Sequence, residues 1–321
     1  GDESYVPVTL QALSSQVGPG NDYMVPLHRG DEGNDDQAFW GFAIMSAAEK
    51  KFPLPTSVNF SWLQLSENLW NSQARRWDDT YCRGGLRWQI FENNRGYDYK
   101  NTISNAAFFQ LSARLARITG NQTYVEWASK SYDWLVGAGL IDTNNYKVFD
   151  GIQVNDCQNK NTEIWTYNTA VLTYGTAVMY NHTMEPLWAE RTNSFVDAAK
   201  KQFFGTANYS GVMYEPACEL SSSCNTDQLS FKAYLSRFLW ATSLMAPFTM
   251  SQLSPLLTIS AQAAARICSI VGGTNDIKCG SKWYTATTDG SYGVGQQMSA
   301  LECIQGLLAS TKAVPIIRGG R

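Results

Sequence analysis

The 321-residue sequence predicts an all-α fold made of repeated helix hairpins. Three observations lead to this prediction. Apolar residues recur at helical spacing in many segments, a polar residue recurs near the start of one helix in each hairpin, and short and long connections alternate between the helices. No strong alternating strand pattern competes with the helices, although the long loops have room for short strands.

The individual helices follow from local patterns. The first segment, GDESYVPVTLQAL, reads as a shifted copy of GNQTYVEWASKSY, which opens a later helix. N-D-D-Q at 34–37 is typical of a helix start. Segments such as NAAFFQLSARLARI, YNTAVLTYGTAVMYN, LSFKAYLSRFLWATSLM and GQQMSALECIQGLLAS fit the apolar stripe of a packed helix. The ten predicted helices lie near residues 4–17, 35–51, 57–76, 102–118, 121–137, 163–181, 183–203, 227–246, 251–271 and 296–313.

A polar residue marks the front of every second helix, at intervals of 69, 63, 64 and 65 residues. The connections before the marked residues are long (77–101, 138–162, 204–226, 272–295), whereas others, such as 52–56 and 119–121, are short. If neighbouring helices are antiparallel, the long loops and the N-termini of the marked helices lie at one end. We therefore expect a functional site at this mouth. The marked residues are Asp36, Asn105, Asn168, Lys232 and Gln297.

Five hairpin starts are visible, and the first segment reads as the outer half of a pair. Toroids of helix hairpins commonly close with six pairs. We therefore expect one toroidal domain over residues 1–321, with its first helix pair missing upstream.

The composition excludes partners that require strong charge. Charged residues make up 17% of the chain and the net charge is −3, so we expect no nucleic acid partner and no binding to an anionic membrane surface. The chain is rich in rings, with 11 Trp, 16 Tyr and 14 Phe. Most should fill the core, but Trp and Tyr beside short polar residues also suit a sugar cleft, because rings cover the apolar faces of pyranoses.

Seven cysteines indicate an oxidised, extracytoplasmic protein. No C-x-x-C motif occurs and only two histidines are present, so we expect no metal site. The odd thiol is expected to be Cys303, in an apolar helical run. Cys218 and Cys224 are close enough in sequence to pair, as are Cys268 and Cys279, and Cys82 with Cys157 is a longer-range alternative.

Four N-x-[ST] sequons are compatible with a secreted glycoprotein: Asn59, Asn121, Asn181 and Asn208. No apolar run approaches the roughly 20 residues of a membrane span.

Asp35 and Asp36 stand side by side where a helix begins. One interpretation is helix capping, since acidic residues are favoured in a first turn. The other follows from the expected mouth and from Phe39, Trp40 and Phe42, which make the surroundings partly apolar. Two such close carboxylates cannot ionise independently, so one pKa should rise relative to the other. This is the acid/nucleophile division of a glycosidase, and the proximity favours the separation of roughly 5 Å found in retaining enzymes.

Four segments carry a resemblance to a known family: GNDDQAFWGFAIMSAAEKKFP, GGLRWQIF, NNRGYDYKNTISNAAFFQLSARLARITGN and SFKAYLSRFLW. They resemble glycoside hydrolase family 76, and most of all its fungal, GPI-anchored cell-wall branch, from about residue 1 to about 312. The resemblance implies an (α/α)6 toroid and retaining action on α-1,6-linked mannose without a cofactor. It matches Asp35 to the nucleophile and Asp36, protonated at the outset, to the general acid/base.

The resemblance also implies partners and a location. The donor would be an α-mannose glycan, either α-1,6-mannan or the mannose core of a GPI anchor. The acceptor would be water or wall β-glucan, to which the attached protein is transferred. We expect a monomer at the fungal cell surface or wall, attached to the membrane through a GPI anchor that is not present in this sequence.

Further residues are candidates for substrate binding, each with a structural alternative. Trp88 and Gln89 either stack beneath a sugar or anchor their loop. The same two alternatives apply to Tyr97 and Asp98. Asn105 and Asn168 contact substrate at the mouth or cap their helices. Trp165 and Tyr167 line the opposite wall of the cleft. Asp227 and Lys232 bind substrate or brace the mouth as an ion pair, and Gln297 completes the set.

Two neighbouring motifs are assigned structural roles. Trp40 lies one turn into its helix and is expected in the core. Asp78 and Asp79 form a second aspartate pair behind two arginines at a helix end, where the dipole disfavours acids. We interpret this pair as a loop or salt-bridge feature, with Ca²⁺ binding as a remote alternative.

Two other functions use the same residues. A catalytically silent mannan-binding wall protein would keep the toroid and the rings without needing coupled carboxyls. An unsaturated-uronide hydrolase on another six-hairpin fold would need basic residues for the uronate. Few are available beyond Arg87, Arg95 and Lys232.

Overall fold

The structure is a computed structural model that describes residues 2–55, 59–205, 211–270 and 276–311. The sequon at Asn208 lies outside these ranges. The helices in them are α1 (Val6–Ser15), α2 (Asn34–Glu49), α3 (Trp62–Ala74), α4 (Thr102–Thr119), α5 (Gln122–Gly137), α6 (Thr166–Thr183), α7 (Pro186–Phe203), α8 (Phe231–Met245), α9 (Met250–Ile267) and α10 (Val294–Gln305). The strands are β1 (Tyr99–Asn101), β2 (Ile141–Asp142), β3 (Lys147–Val148), β4 (Gly151–Gln153), β5 (Lys160–Asn161), β6 (Ser269–Ile270) and β7 (Ile277–Lys278).

Every predicted helix is found, so the all-α prediction is confirmed, and the few differences lie at the ends. Helix α3 begins at Trp62 because the side chain of Ser61 accepts the N–H of Gln64 and caps it. Helix α10 ends at Gln305, after which a 3₁₀ helix covers Gly306–Thr311.

The described chain forms two compact units. Unit one comprises the described residues of Gly1–Leu140 and Asp150–Asn161, and unit two those of Ile141–Phe149 and Thr162–Val314. The single domain over 1–321 stays a prediction.

In unit one, helix α4 forms the centre of the core. It packs against α2, α3 and α5, and residues 102–117 are all buried. Its buried Arg114 donates from Nε and Nη2 to the two carboxylate oxygens of Glu49 on α2, both at 2.9 Å. Satisfying a buried guanidinium in this way avoids the cost of an unpaired charge.

A small antiparallel sheet in unit one has the strand order β1-β4-β5. Asn101, its last residue in β1, pairs with Gly151 and is also the N-cap residue of α4. A Cβ on Gly151 would lie 2.7 Å from the carbonyl oxygen of Lys100, so this register requires glycine. The sheet therefore fixes the position at which α4 begins.

In unit two, helix α6 packs against α7 and α8, and α8 packs against α9 and α10. Helix α6 is buried from Asn168 to Met179, which explains its almost uninterrupted apolar and small residues. Two-stranded ribbons β2-β3 and β6-β7 lie in the connections.

Three disulfides are present, and each joins a pair of cysteines that the sequence analysis considered. Cys82–Cys157 lies in unit one, and Cys218–Cys224 and Cys268–Cys279 lie in unit two. Cys303 is a buried free thiol. Of the described helices, none combines the length and the apolar character needed to cross a membrane.

Candidate active site

The first turn of α2 fixes the carboxyl groups of both aspartates. Gly33 is the N-cap residue, and its N–H donates to Asp36 Oδ2 at 2.7 Å. The N–H of Asp36 donates to Asp35 Oδ1 at 3.0 Å, and Asn101 Nδ2 donates to Asp35 Oδ2 at 3.1 Å. Asp36 therefore does serve as a cap, as the simpler interpretation had it. Capping does not account for the bond between Asp35 and the start of α4.

Gly33 is required by the packing of these carboxyl groups. A Cβ built on it would overlap Asp35 Oδ1 and lie 3.1 Å from both Asp36 Oδ2 and the carbonyl oxygen of Trp88. Its φ of −94° is open to any residue, so the need for glycine here is steric. A side chain at this position would displace the carboxyl group of Asp35.

The loop GGLRWQ is tied to the start of α2. The N–H of Asn34 donates to the carbonyl of Trp88 at 2.8 Å, and Asn34 Nδ2 donates to the carbonyl of Arg87 at 2.9 Å. Gly33 and Gln89 form an isolated antiparallel bridge. These contacts place Trp88 and Gln89 beside the aspartate pair.

Asn105 holds the same loop from the other side. Its predicted capping role is wrong, and its contact with substrate stays a prediction. It is fully buried, and the N-cap of α4 is Asn101. Asn105 Oδ1 accepts the N–H of Leu86 at 2.7 Å, and its Nδ2 donates to the carbonyls of Leu86 and Asn101 at 3.0 and 2.8 Å. It therefore clamps the loop to α4.

The electrostatics of the pair are asymmetric. Burial raises the pKa of Asp35 to about 7, and the charge of Asp36 adds to the rise, against the donors Asn101 and the N–H groups of Asp35 and Asp36. The expectation that one pKa rises is confirmed. Asp36 is the more exposed of the two, and its carboxylate accepts the N–H of Gly33. The assignment of the shared proton to Asp36 stays a prediction.

Trp88 offers an accessible ring beside the pair. It is 37% exposed, and one edge packs on the backbone of Gly96, where a Cβ would overlap ring carbons. Gln89 is buried, and its Oε1 accepts Asn94 Nδ2 at 3.1 Å. Trp88 therefore remains available for stacking on a sugar, while Gln89 braces the loop.

Tyr97 and Asp98 lie farther along the same loop. The guanidinium of Arg87 stacks on the half-buried ring of Tyr97, 4.4 Å from its centroid, and donates to the carbonyl of Tyr97 at 2.8 Å. The carbonyl of Asp98 accepts the N–H of Val154 at 2.8 Å, and its side chain is exposed.

A comparison with known proteins bears on these residues. The sequence model of glycosyl hydrolase family 76 matches residues 1–317. The chain belongs to this family. The prediction that it is a glycoside hydrolase is confirmed by this membership.

Named relatives and solved structures agree with the assignment to family 76. Mannan endo-1,6-alpha-mannosidase DCW1 of Saccharomyces cerevisiae is 48% identical over 98% of this chain and 69% of its own length. The crystal structure of Dfg5 from Chaetomium thermophilum in complex with glucosamine is 40% identical, with a TM-score of 0.94 over 100% of this chain and 79% of that chain. The GH76A alpha-1,6-mannanase of a Salegentibacter species, at 20% identity, has a TM-score of 0.75 over 96% of this chain and 83% of that chain. These likenesses confirm the predicted fold class.

In unit two of this family 76 chain, Trp165 and Tyr167 come together through Phe231. The ring of Tyr167 stacks on that of Phe231 with centroids 3.9 Å apart, and Trp165 meets Phe231 edge-on at 5.6 Å. Trp165 is buried and Tyr167 is half-buried, so the face available to a ligand belongs to Tyr167 and Phe231.

Asn168 is fully buried, and neither of its amide atoms has a hydrogen-bond partner in the described ranges. It lies in the first turn of α6, whose N-cap residue is Trp165, so the capping role is wrong. The convergence of the five marked residues on one mouth stays a prediction.

Lys232 is buried and does not pair with Asp227. Its ammonium forms an ion pair with Glu219 at 2.5 Å, donates to the carbonyl of Ser281 and lies 3.8 Å from the ring centroid of Trp283. Asp227 is exposed at the start of a short 3₁₀ helix. In this structure Lys232 therefore braces two loops, and the predicted ion pair with Asp227 is wrong.

Gln297 is exposed, whereas its neighbour Gln296 is buried. Gln297 Oε1 accepts the N–H of Cys279 at 3.2 Å, which ties α10 to the loop closed by the Cys268–Cys279 disulfide.

The second aspartate pair is a salt-bridge feature, as predicted. Asp78 Oδ2 lies 3.0 Å from Arg87 Nη2 and 3.3 Å from the fully buried Lys100 Nζ. These cations hold the pKa of Asp78 below its ordinary value, although partial burial opposes them. Asp79 is exposed and accepts Trp77 Nε1 at 2.9 Å. No cluster of His, Cys, Asp or Glu suited to a metal ion is found among the residues described.

Sequence reasoning missed several residues around the family 76 aspartates. Asn101 carried a readable signal, since an asparagine before a helical run predicts an N-cap. Asn34 carried none, because its bonds to the loop span more than fifty residues. Trp40, expected in the core, is half-buried and lines a cavity of about 250 Å³ beside Asp36, together with Tyr23 and Glu32.

Proposed function

We propose that this chain cleaves α-1,6-mannosidic linkages with retention of configuration. The observation that carries the proposal is the Asp35/Asp36 pair: two carboxyl groups at one helix start, held by separate donors, with a raised pKa on one of them. A retaining glycosidase needs one protonated and one ionised carboxyl close together. Membership of glycosyl hydrolase family 76 supports the assignment.

Asp35 is the nucleophile in this proposal. Its two oxygens accept hydrogen bonds from different directions, from the N–H of Asp36 and from Asn101 Nδ2, so the carboxylate has a fixed orientation. The positive charge that develops at the anomeric carbon favours ionised Asp35. The proton that the two groups share is therefore on Asp36 when the donor sugar is bound, because the protonation states of the two groups are coupled.

The reaction then takes two steps. Asp36 gives its proton to the glycosidic oxygen as the bond to the anomeric carbon breaks, and Asp35 forms a covalent bond to that carbon. Asp36, now ionised, takes a proton from the incoming hydroxyl, whose oxygen attacks the anomeric carbon and releases Asp35.

The substrate class is supported by relatives. Eight proteins that are 41–48% identical to this chain bear the name mannan endo-1,6-alpha-mannosidase, two of them provisionally. The Salegentibacter GH76A alpha-1,6-mannanase was also solved in complex with α-1,6-mannotriose. That protein is an inactive variant in which two consecutive aspartates are replaced by asparagine. The exposed ring of Trp88 beside the pair provides a flat apolar face of the kind that a pyranose requires.

The acceptor and the location are further parts of the proposal. We infer that the donor is α-1,6-mannan or the mannose core of a GPI anchor, and that wall β-glucan competes with water as acceptor. Transfer requires that water be excluded on the acceptor side. Three disulfides and the exposed sequons Asn59 and Asn121 support action outside the cytoplasm, at the cell surface or wall.

The test is incubation of the protein with α-1,6-mannotetraose, with products followed by chromatography and their initial anomeric configuration by NMR. We expect cleavage with retention, and a mannosyl adduct on the peptide containing Asp35 when a slow fluorinated donor is used. Asp35→Asn and Asp36→Asn should each lower kcat/KM by at least about 10³-fold. Asp79→Asn, the same change in an exposed aspartate of the second pair, is the control and should keep kcat/KM within about twofold of the parent.

A mannan-binding protein without catalysis is the alternative. It predicts binding of mannotetraose by calorimetry with no products and no adduct. Inversion of configuration, or normal turnover by Asp35→Asn, would contradict the assignment of Asp35 as nucleophile and Asp36 as general acid/base.

A further inference from the structure

A third carboxyl group lies beside the aspartate pair, at Glu32. The residue is only 6% exposed, and its Oε2 is buried without a hydrogen-bond partner among the residues described. Its N–H donates to the carbonyl of His28 at 2.8 Å, which fixes the turn that presents the side chain. A buried carboxylate oxygen without a donor is costly, and such groups concentrate at functional sites.

Glu32 and Asp36 line the same cavity of about 250 Å³. One wall is aromatic, formed by Trp40, on which Tyr23 stacks with centroids 5.4 Å apart. Asp36 and Trp40 are four residues apart on α2 and so lie on one face of the helix. An apolar wall weakens dielectric screening, so two carboxyl groups in this cavity affect each other strongly.

The charges that face Glu32 are mostly negative. Asp22, Asp31 and Asp36 disfavour its ionised form, and the opposing cation is Arg76. The guanidinium of Arg76 is itself bonded to Asn34 Oδ1 at 2.8 Å, Ser72 Oγ at 2.9 Å and Gln37 Oε1. His28, which also lines the cavity, has its Nδ1 3.7 Å from the exposed Asp31.

These surroundings have a consequence for titration. Burial, followed by the charge of Asp36, raises the pKa of Glu32 to about 7 despite Arg76. The influence is mutual, because a charge on either group disfavours a charge on the other.

We propose that Glu32 is a positioning residue whose charge sets the pH at which Asp36 loses its proton. The inference rests on the role of Asp36 as general acid in the proposed function. When Glu32 is ionised, Asp36 holds its proton to higher pH and can donate it to the leaving group. Glu32 touches no reacting atom, and its action is electrostatic.

The first test is the pH profile of kcat/KM on α-1,6-mannotetraose. In Glu32→Gln, the basic limb should move to lower pH by about 0.5 to 1 unit, since one negative charge beside Asp36 is lost. Glu32→Asp restores the charge and should recover at least half of the shift. Asp31→Asn removes an equal charge from the adjacent, exposed residue, and its basic limb should move by less than about 0.2 unit.

The second test does not require turnover. With ¹³C-labelled aspartate carboxyls, the NMR titration of Asp36, assigned with Asp36→Asn, should move to lower pH in Glu32→Gln by the same amount. An active parent whose basic limb and Asp36 titration are both unmoved in Glu32→Gln overturns the inference. So does an equal shift in Asp31→Asn. A parent that does not cleave the substrate at any pH contradicts the proposed function instead, and the NMR titration still decides whether Glu32 and Asp36 are coupled.

Discussion

The chain contains two pairs of adjacent aspartates, and the two pairs have opposite electrostatic surroundings. Asp35 and Asp36 lie at a helix start and are held by amide donors, without a described cation on Asp35. Asp78 follows a helix end, and Arg87 and the buried Lys100 neutralise it. The pKa of Asp35 is raised, whereas the pKa of Asp78 is lowered. The same two-residue motif therefore contains a carboxyl group that can hold a proton, Asp35, and one that stays ionised, Asp78, and the neighbouring cations account for the difference.

The largest effect on the first pair is expected from a substitution at Gly33. In Gly33→Ala the new methyl group overlaps the carboxyl of Asp35, so kcat/KM should fall by about 10²-fold, since small displacements of a catalytic group are costly. Gly30→Ala is the matched control, because a Cβ there meets nothing within 4 Å, and it should change kcat/KM by less than about twofold. Equal activity of the two variants would show that the first pair needs no steric protection.

The second pair should respond in stability. Asp78→Asn removes the carboxylate that pairs with Lys100, whose side chain is fully buried. Lys100 Nζ then keeps its hydrogen bonds to the backbone carbonyl oxygens of position 78, Tyr81 and Gly84, at 2.6–2.9 Å. The loss should be about 2 kcal/mol of unfolding free energy, measured by urea denaturation. Asp35→Asn, by contrast, should lie within about 1 kcal/mol of the parent at pH 7. A stable Asp78→Asn protein would remove the contrast between the pairs.

The smallest effect is the pH dependence of stability. The folded pKa of Asp35, about 7, is above its ordinary value of 3.8, so between these values the folded state holds a proton that the unfolded chain has released. The free energy of unfolding contributed by Asp35 therefore falls as pH rises from about 4 to about 7. Solvent screening of the half-buried carboxyl reduces this contribution, so in Asp35→Asn the decline should be smaller by about 1 kcal/mol.

The sign is reversed for Asp78, whose folded pKa is lowered. Its contribution is present above the ordinary pKa and is lost as pH falls through the folded pKa. Denaturation curves of the parent and both variants between about pH 3 and about pH 8 separate the two pairs. A steeper decline in Asp35→Asn would contradict the raised pKa of Asp35.

Local sequence patterns predict the helices and several contacts correctly, whereas contacts between residues far apart in the sequence are not predicted by them. The helices, the three disulfides and the salt-bridge character of Asp78 follow from periodicity, spacing and the basic residues nearby. The helical period predicts that Asn105 and Lys232 lie at the mouth, but it does not predict their partners. Their side chains bond to Leu86 and Glu219, which lie on loops whose course a helical period does not describe.

The protonation of the first pair was likewise beyond the sequence alone. The pattern predicts that one pKa rises, but the surroundings of each carboxyl group depend on tertiary contacts. Asp35 is the more enclosed of the two, whereas Asp36 is exposed and accepts the N–H of Gly33, and both features arise from the way the loop before α2 approaches the helix.

Asn101 performs three tasks at once. Its backbone ends β1, its Oδ1 accepts the N–H of Ser104 at 3.2 Å, and its Nδ2 donates to Asp35. Only a short side chain with both an acceptor and a donor meets these demands. Serine lacks the reach, aspartate would add a third negative charge, and glutamine is too long for an N-cap. In a saturation library this position should accept a single amino acid, and a drifting sequence would have no intermediate through which to replace it.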